Sequence, residues 1–463
     1  MYECEFKEII KTDPRVQNIV SRSFNSKSSF IKPTGSKNTI TILDIKNAVM
    51  RKKDPLFGFL KVHLKVPNVL RQTVFSEFPP LICKKEVGFN DQSPLMKSIL
   101  KETGYLKKPR EMLISCWEKK DMIVSSELLA WYLEHGVELV DVEEILHYTP
   151  VQCFKYFTEQ ITTERLKGDF DPNKKALTHL IKMLGSSAYG KFIMNVENQR
   201  DYVYCHKKDA MQYIKSKYFS NYQELGNESV EITLKKKNIA HDMPLQIAVM
   251  VYMDAKRQLL SFAFDVIDKY IQRDLYTLLG TDTDSLFISF AGNNIFDVLK
   301  PELKLEFLSN YDKYFVHDFC SFHKSEFISF YETYKKGEMW IPPTPCYQCY
   351  LSGMRSKREP GLFKLEFENG DYWLALNSKM YIVGNNDETK ISSKGLSKKT
   401  NKITKDHFEY VLETQRSLSG ENMNFVPDGC YINTQIQTRA ALSFTYLKRW
   451  IMDDGITTKP LQM

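Results

Sequence analysis

Leu278–Phe290 reads LLGTDTDSLFISF, with Asp282 and Asp284 one residue apart between the apolar runs "LYTLLG" and "LFISF". Both runs have strand length and composition, and the polar residues between them predict a hairpin carrying the two acids at its tip. Alternate residues of a strand point the same way, so the two carboxylates are expected to aim at one point. A hard divalent cation such as Mg²⁺ suits that arrangement, since it is held by one or two carboxylates plus substrate phosphates. The same spacing recurs at Asp169 and Asp171 in "KGDFDPN", where Gly and Pro mark an exposed turn. The spacing alone therefore leaves two readings open, a metal site or a polar turn. What sets the first pair apart is its setting: the flanking runs are expected to be buried strands, where carboxylates are costly unless solvated or metal-bound.

A chain of 463 residues with 43% hydrophobic and 13% aromatic content can bury a large core, in two or three domains or one composite domain. Net charge is +7 and the pI is near 8.7. The basic residues cluster, in "LKKKNI", "RSKREP", "SSKGLSKKTNKITK" and "YLKRW". Such a distribution suits either a polyanion such as nucleic acid or solvated surface faces. No apolar run approaches the roughly 18 to 20 residues that span a bilayer, so no membrane partner is expected. "MYECEFKEIIKTD" has early acids and is not a secretory signal, and the nine cysteines form no obvious disulfide framework. The expectation is a soluble intracellular protein, nuclear or cytoplasmic.

Along the chain, "TITILDI" and "FGFLKVHLKV" read as strands, and "FPPLICKKEV" as a strand with a rigid Pro-Pro entry. "EMLISCWEKKDMIVSSELLAWYLEHG" reads as strand then helix, with Ser125 or Ser126 as N-cap and Gly136 as stop. "VELVDVEEILHYTP" returns to strand alternation. Val151 to Asn195 reads as a helical hairpin bent at "GDFDPN", an exposed arm. Val196 to Met243 is polar and tyrosine-rich with weak strand signals. "PLQIAVMVYMDAKRQLLSFAFDVIDKYI" predicts a long helix whose wide apolar face packs on a sheet.

"KMLGSSAYG", Lys182 to Gly190, resembles the K-x-x-x-N-S-x-Y-G helix of family B DNA polymerases, and "GTDTDS" resembles the Y-x-D-T-D-S hairpin that follows it. "SKMYIV" with "SSKGLSKK" resembles the family's K-x-Y element and the K-G after it. "YLKRWIMDDGITTKPL" is similar to the terminal segment of the protein-primed branch. "FGFLKVHLKVP", "LLAWYLEHG" and "PGLFKLEFE" resemble the polymerases of Maverick or Polinton mobile elements. The likeness covers most of the chain, and its pieces occur in the family's order.

That resemblance implies an α+β right-hand fold: a palm with an antiparallel sheet, helical-hairpin fingers and a small thumb; upstream the sequence leaves no room for the family's exonuclease domain, which is expected to be absent. Residues 1–150 would be the N-terminal part of the palm, 151–195 the fingers, 196–243 an insertion, 244–385 the catalytic palm and 386–463 the thumb. It implies DNA-directed DNA polymerisation from deoxynucleoside triphosphates onto a primer 3′-hydroxyl, using two Mg²⁺ ions for which Mn²⁺ substitutes. Primer-template DNA, the nucleotides and a terminal priming protein are the implied partners. Asp284 and then Asp282 would be the catalytic metal ligands, and Lys182 would meet the nucleotide's phosphates as a point charge. Ser187, Tyr189 and Gly190 would form the nucleotide pocket, and Lys379 and Tyr381 would steady the primer-template. Lys394, Lys398, Lys399, Lys448 and Arg449 would supply phosphate contacts.

The sequence departs from the family in places. Its D-x-x-S-L-Y-P element, source of a further metal-binding aspartate, is not found, and Asp44 in "TITILDIKNAVM" is the residue offered in its place. Ser186 stands where the family has asparagine. "MYECEF" resembles an internal segment of longer relatives, so the chain is expected to be cut short at its N-terminus. Cys346 and Cys349 form a C-x-x-C, and "VHDFCSFHK" offers His317, Cys320 and His323. Zinc would take four such ligands, but the two halves lack a recognised spacing, and free cysteines also serve as small core residues. Three functions compete: a polymerase; a non-catalytic nucleic-acid-binding remnant of one, as the missing aspartate suggests; and a metal-dependent nuclease, in which the Lys182 helix would have no role.

Overall fold

The computed structural model describes residues 29–31, 41–104, 108–152, 154–240, 243–334, 338–343, 346–367, 370–428 and 431–461. "MYECEF" lies outside them. The fold is mixed α+β with antiparallel sheets, and the chain divides into two units. The first comprises residues 1–186, 250–369 and 447–463, and the second residues 187–249 and 370–446. This division groups the 196–243 stretch with 370–446 and returns the C-terminal residues to the first unit.

In the first unit the strands are β1 (Ser29–Ile31), β2 (Gly58–Lys65), β3 (Leu81–Val87), β4 (Arg110–Cys116), β5 (Glu118–Ser125) and β6 (Glu138–His147). Four of them form one sheet in the order β1-β6-β2-β5, while β3 pairs with β4. The alternation of "FLKVHLK" puts Leu60, Val62 and Leu64 at zero exposure. Helix Ser126–Glu134 buries Leu128, Leu129, Trp131 and Tyr132 in the same cluster. Of the two serines expected to cap it, Ser125 does so, its hydroxyl accepting from the Leu128 amide at 3.3 Å.

Asp44 does not lie on a strand as expected: Ile42–Val49 is a helix. The reason is local. Thr41 Oγ1 accepts from the Asp44 amide at 3.1 Å and Asp44 Oδ2 accepts from the Thr41 amide at 2.9 Å, a reciprocal capping box. Ile45 and Val49, one helical turn apart, then share the buried face.

A second, aromatic core gathers Phe262, Tyr270, Phe307, Phe319, Phe327 and Tyr331. It begins on the expected long helix, Leu245–Ser261, which widens into a π-helical stretch over Phe262–Asp268. Asp265, within that stretch, meets His135 Nε2 at 2.6 Å and accepts from Trp131 Nε1 at 3.1 Å. The other ring nitrogen of His135 lies 2.8 Å from the Trp131 carbonyl. Both nitrogens thus face acceptors, an arrangement that favours the imidazolium.

Burial opposes charge on both partners, but the bonds to Asp265 and the Trp131 carbonyl raise His135 above its ordinary value, and the His135 and Trp131 donors lower Asp265. The raised histidine contributes stability that is complete below its unfolded value of 6.5 and fades as pH climbs through the folded one. The lowered aspartate contributes above 3.8 and loses its part as pH falls through its folded value. His135→Ala is therefore expected to cost about 1–2 kcal/mol, discounted for the exposure of Asp265, between about pH 4 and 6.5 and less above neutrality. Urea melts across pH check this; a deficit flat from pH 5 to 9 would remove the charge from the account.

The second unit holds a three-stranded antiparallel sheet, with Ser229–Lys235 between Arg200–His206 and Phe219–Gly226. Its small core is Ala210, Val230 and Ile232, while Tyr202 and Tyr204 face solvent. One face stays wet, so the strand signal in the sequence is weak. A meander of Tyr372–Asn377, Met380–Gly384 and Thr389–Ser393, helix Lys405–Thr414 and a ribbon of Leu418–Asp428 with Tyr431–Leu442 complete this unit. Among the described residues no helix is long and apolar enough to cross a membrane.

Candidate acidic hairpin and basic cleft

Tyr276–Asp282 and Ser285–Phe290 form the expected hairpin, with Leu278 opposite Ile288, Gly280 opposite Phe287 and Asp282 opposite Ser285. Two features correct the expectation. Asp282 closes its strand but Asp284 lies in the turn, so the acids are not alternate residues of one strand. The strands are also only half-buried, since no third strand pairs with them among the described residues and one face stays in solvent. Inward, Tyr276, Leu278, Leu286 and Ile288 line a cleft of about 350 Å³ with Phe78 and Phe264. Asp284 is exposed and Asp282 intermediate, so water solvates the tip and burial does not argue for a metal.

The turn itself is strained. Thr283 sits at φ +60°, a conformation rarely adopted by β-branched residues. The Asp284 amide donates to the Asp282 carbonyl at 2.7 Å, and Thr283 Oγ1 donates to Asp282 Oδ1 at 3.2 Å. The strain thus holds two carboxylates on one tight solvent-facing loop. Two such groups fit one hard cation whose other ligands are water or phosphate oxygens. Among the described residues no group of three His, Cys, Asp or Glu placed to share an ion includes Asp282 or Asp284. Asp44 is spent in its capping box instead.

Lys182 has distinct company. The arm is built as expected from two helices, Lys155–Phe170 and Lys175–Phe192. Their close approach depends on glycine: a Cβ at Gly168 would stand 1.8 Å from Thr178 Oγ1, and one at Gly185 would stand 3.2 Å from Ile161. Between the arm and the segment after helix Tyr347–Ser356 lies a cleft of about 550 Å³, lined by Arg165, Lys175, His179, Lys182, Lys357 and Arg358. One acid enters it. Asp169, expected on an exposed turn, lies in the last turn of the first arm helix and accepts from Arg358 Nε and Nη2 in a fork.

Arg165 Nε is buried with no hydrogen-bond partner among the described residues. Burial and then the neighbouring Arg358 charge lower its pKa. An unsatisfied cationic donor in a basic cleft suits an anion. The sequence carried part of this signal, because Lys175, His179 and Lys182 follow helical spacing on one face. Nothing local in the sequence assigns Arg165 or Arg358 to the same cleft.

The remaining predicted residues divide between the units. Ser187, Tyr189 and Gly190 end the second arm helix, within the second unit. A Cβ at Gly190 would meet nothing within 4 Å, so no close approach in the described structure requires that glycine. Ser186, where the family has asparagine, bonds back to the Lys182 carbonyl at 2.9 Å.

In the second unit, Lys379 occupies a hairpin turn at φ +61°. Its carbonyl accepts from the Lys394 amide at 3.1 Å, so these two lysines are neighbours. Lys398 binds the Ile391 carbonyl through its ammonium, and Lys399 is exposed nearby in sequence. Tyr381 is a core residue at 9% exposure, stacked on Trp373 at 4.7 Å, so it does not line a surface. In the first unit Lys448 is exposed, and Arg449 is engaged by Thr458, with Nε 2.8 Å from Oγ1. No protein-family model, curated protein or solved structure matches the chain.

Proposed function

We propose that the chain is a metal-dependent DNA-directed DNA polymerase of the protein-primed family B kind. The observation that carries this reading is the basic cleft around Lys182, on the helix whose sequence resembles the family's nucleotide-binding element. In it the cations of Arg165, Lys175, Lys182 and Lys357 outnumber the acid, and the buried Arg165 Nε finds no hydrogen-bond partner among the described residues. Those groups would hold a triphosphate through charge-assisted hydrogen bonds. Arg358, already forked onto Asp169, frames the cleft rather than binding freely.

Asp284 and Asp282 would hold Mg²⁺, for which Mn²⁺ substitutes. When bound, the metal offsets charge on the transferring phosphoryl group and on the attacking and leaving oxygens. In the second unit, Lys379 and Lys394 at one end of the meander would meet the backbone of the primer-template. A primer hydroxyl carried by a terminal protein belongs to the same reading.

One observation favours a second reading, a non-catalytic DNA-binding remnant: no third carboxylate joins Asp282 and Asp284 among the described residues. Primer extension by the purified chain with Mg²⁺ or Mn²⁺ separates the two. Incorporation of nucleotides is the expected result. Primer-template binding that weakens steeply with salt, without incorporation in either metal, would replace the polymerase by the remnant.

A further inference from the structure

Four residues outside both sites converge in the first unit. Cys320 Sγ and Cys349 Sγ each lie 3.3 Å from His323 Nδ1. Together with Cys346, the four donor atoms lie within 4.8 Å of one another. A tetrahedral zinc site, with Zn–S near 2.3 Å and Zn–N near 2.0–2.1 Å, has edges of about 3.5–3.8 Å. Fitting this cluster to an ion thus needs separations to change by only about 1 Å or less.

We propose that Cys320, His323, Cys346 and Cys349 form a structural zinc site. Both halves space their ligands three residues apart at a helix N-terminus. Cys320 and His323 are joined by a turn in which the His323 amide donates to the Cys320 carbonyl at 3.1 Å, and His323 occupies the residue before helix Lys324–Glu332. Cys346 occupies the residue before helix Tyr347–Ser356, and Cys349 lies in its first turn on the same side. The first pair thus ends at a helix N-cap and the second begins at one, where backbone amides favour a thiolate at Cys346 and Cys349. His317, named with these residues in the sequence, is not a member: its Nδ1 lies 3.2 Å from the Phe315 carbonyl.

Other properties of the cluster agree. Cys320 and Cys349 are 8% and 1% exposed, with His323 and Cys346 half-buried. Three sulfurs and one imidazole suit Zn²⁺ rather than a hard cation. Four protein ligands leave no open position, which makes the site structural rather than catalytic.

Its mechanical role follows from what the second helix carries. Ser356 Oγ donates to the His317 carbonyl at 2.8 Å, and Lys357 and Arg358, just past the helix end, line the basic cleft. Zinc would clamp the near end of that helix to residues 320–323. The proposal stands whether or not the chain polymerises DNA.

Protein purified without chelators is expected to retain one zinc per chain by elemental mass spectrometry. Cobalt exchanged into it should show thiolate-to-metal charge transfer and the intense visible bands of a tetrahedral site. Cys346→Ser and Cys349→Ser should reduce the metal to background, whereas Cys205→Ser, in the other unit, should not. Where the ligand variants fail to fold, wild-type protein decides: stripping the metal should lower Tm by more than about 5 °C, and zinc should restore it. Reduced wild-type protein that retains no zinc and gives no cobalt spectrum would overturn the site. So would an S–S bond among these cysteines in protein purified under reducing conditions.

Discussion

Asp284→Ala is expected to lower nucleotide incorporation by roughly 10³-fold or more while leaving the melting temperature unchanged. The rate follows from the proposed role: a ligand whose loss costs the transition state about 4 kcal/mol slows the step a thousandfold. The stability follows from position, because Asp284 is exposed in the turn and an exposed side chain contributes within about 0.5 kcal/mol. Asp282→Ala should also slow incorporation, and it removes the acceptor of the Thr283 hydroxyl, so a small stability loss accompanies it. Asp171→Ala is the control of equal spacing. That carboxylate accepts from the Asn173 amide at 3.0 Å in the bend of the arm, so its loss should leave the rate intact. Equal rates for Asp284→Ala and wild type would remove the acidic hairpin from the chemistry.

Gly168→Ala should be the most damaging single methyl in the arm. The added carbon would fall 1.8 Å from Thr178 Oγ1 and 2.7 Å from Thr178 Cβ, and neither atom can retreat easily. Thr178 is β-branched and its hydroxyl is tied to the Lys174 carbonyl at 2.9 Å. The helices must separate, at a cost of about 2–3 kcal/mol. Separation also disturbs Arg165 and Asp169, on either side of the glycine, so triphosphate affinity should fall with stability. Adding Thr178→Gly removes the obstructing atoms. The double variant should be more stable than Gly168→Ala alone even though glycine costs a helix interior about 1 kcal/mol. Additive losses in urea melts would show that the close approach is not the cause.

Much of the architecture was legible where one physical signal dominates. The alternation in β2, the Ser125 cap, the two arm helices and the hairpin at Asp282 each follow from local periodicity or capping chemistry. The Asp44 segment failed because β-branched Thr and Ile suggested a strand, while the Thr41–Asp44 box and the Ile45–Val49 pairing favoured a helix. The zinc ligands were present in the sequence as a loose constellation, but residues 324–345 separate the two halves, and only the fold shows which histidine belongs. Arg165 and Arg358 escaped for the same reason. A cleft assembled from three segments has no periodicity to read, whereas the lysine face of one helix does.

The Asp282–Ser285 pairing has a consequence for how this protein tolerates change. Strand faces alternate with every residue, and the loop beyond that pair holds only Thr283 and Asp284. A substitution at the tip alters one side chain. A one-residue insertion or deletion within either paired strand would instead turn Leu278 or Ile288 away from the cleft they line. The hairpin's information resides as much in its length as in its letters, and in-frame indels there should be far less tolerated than point changes.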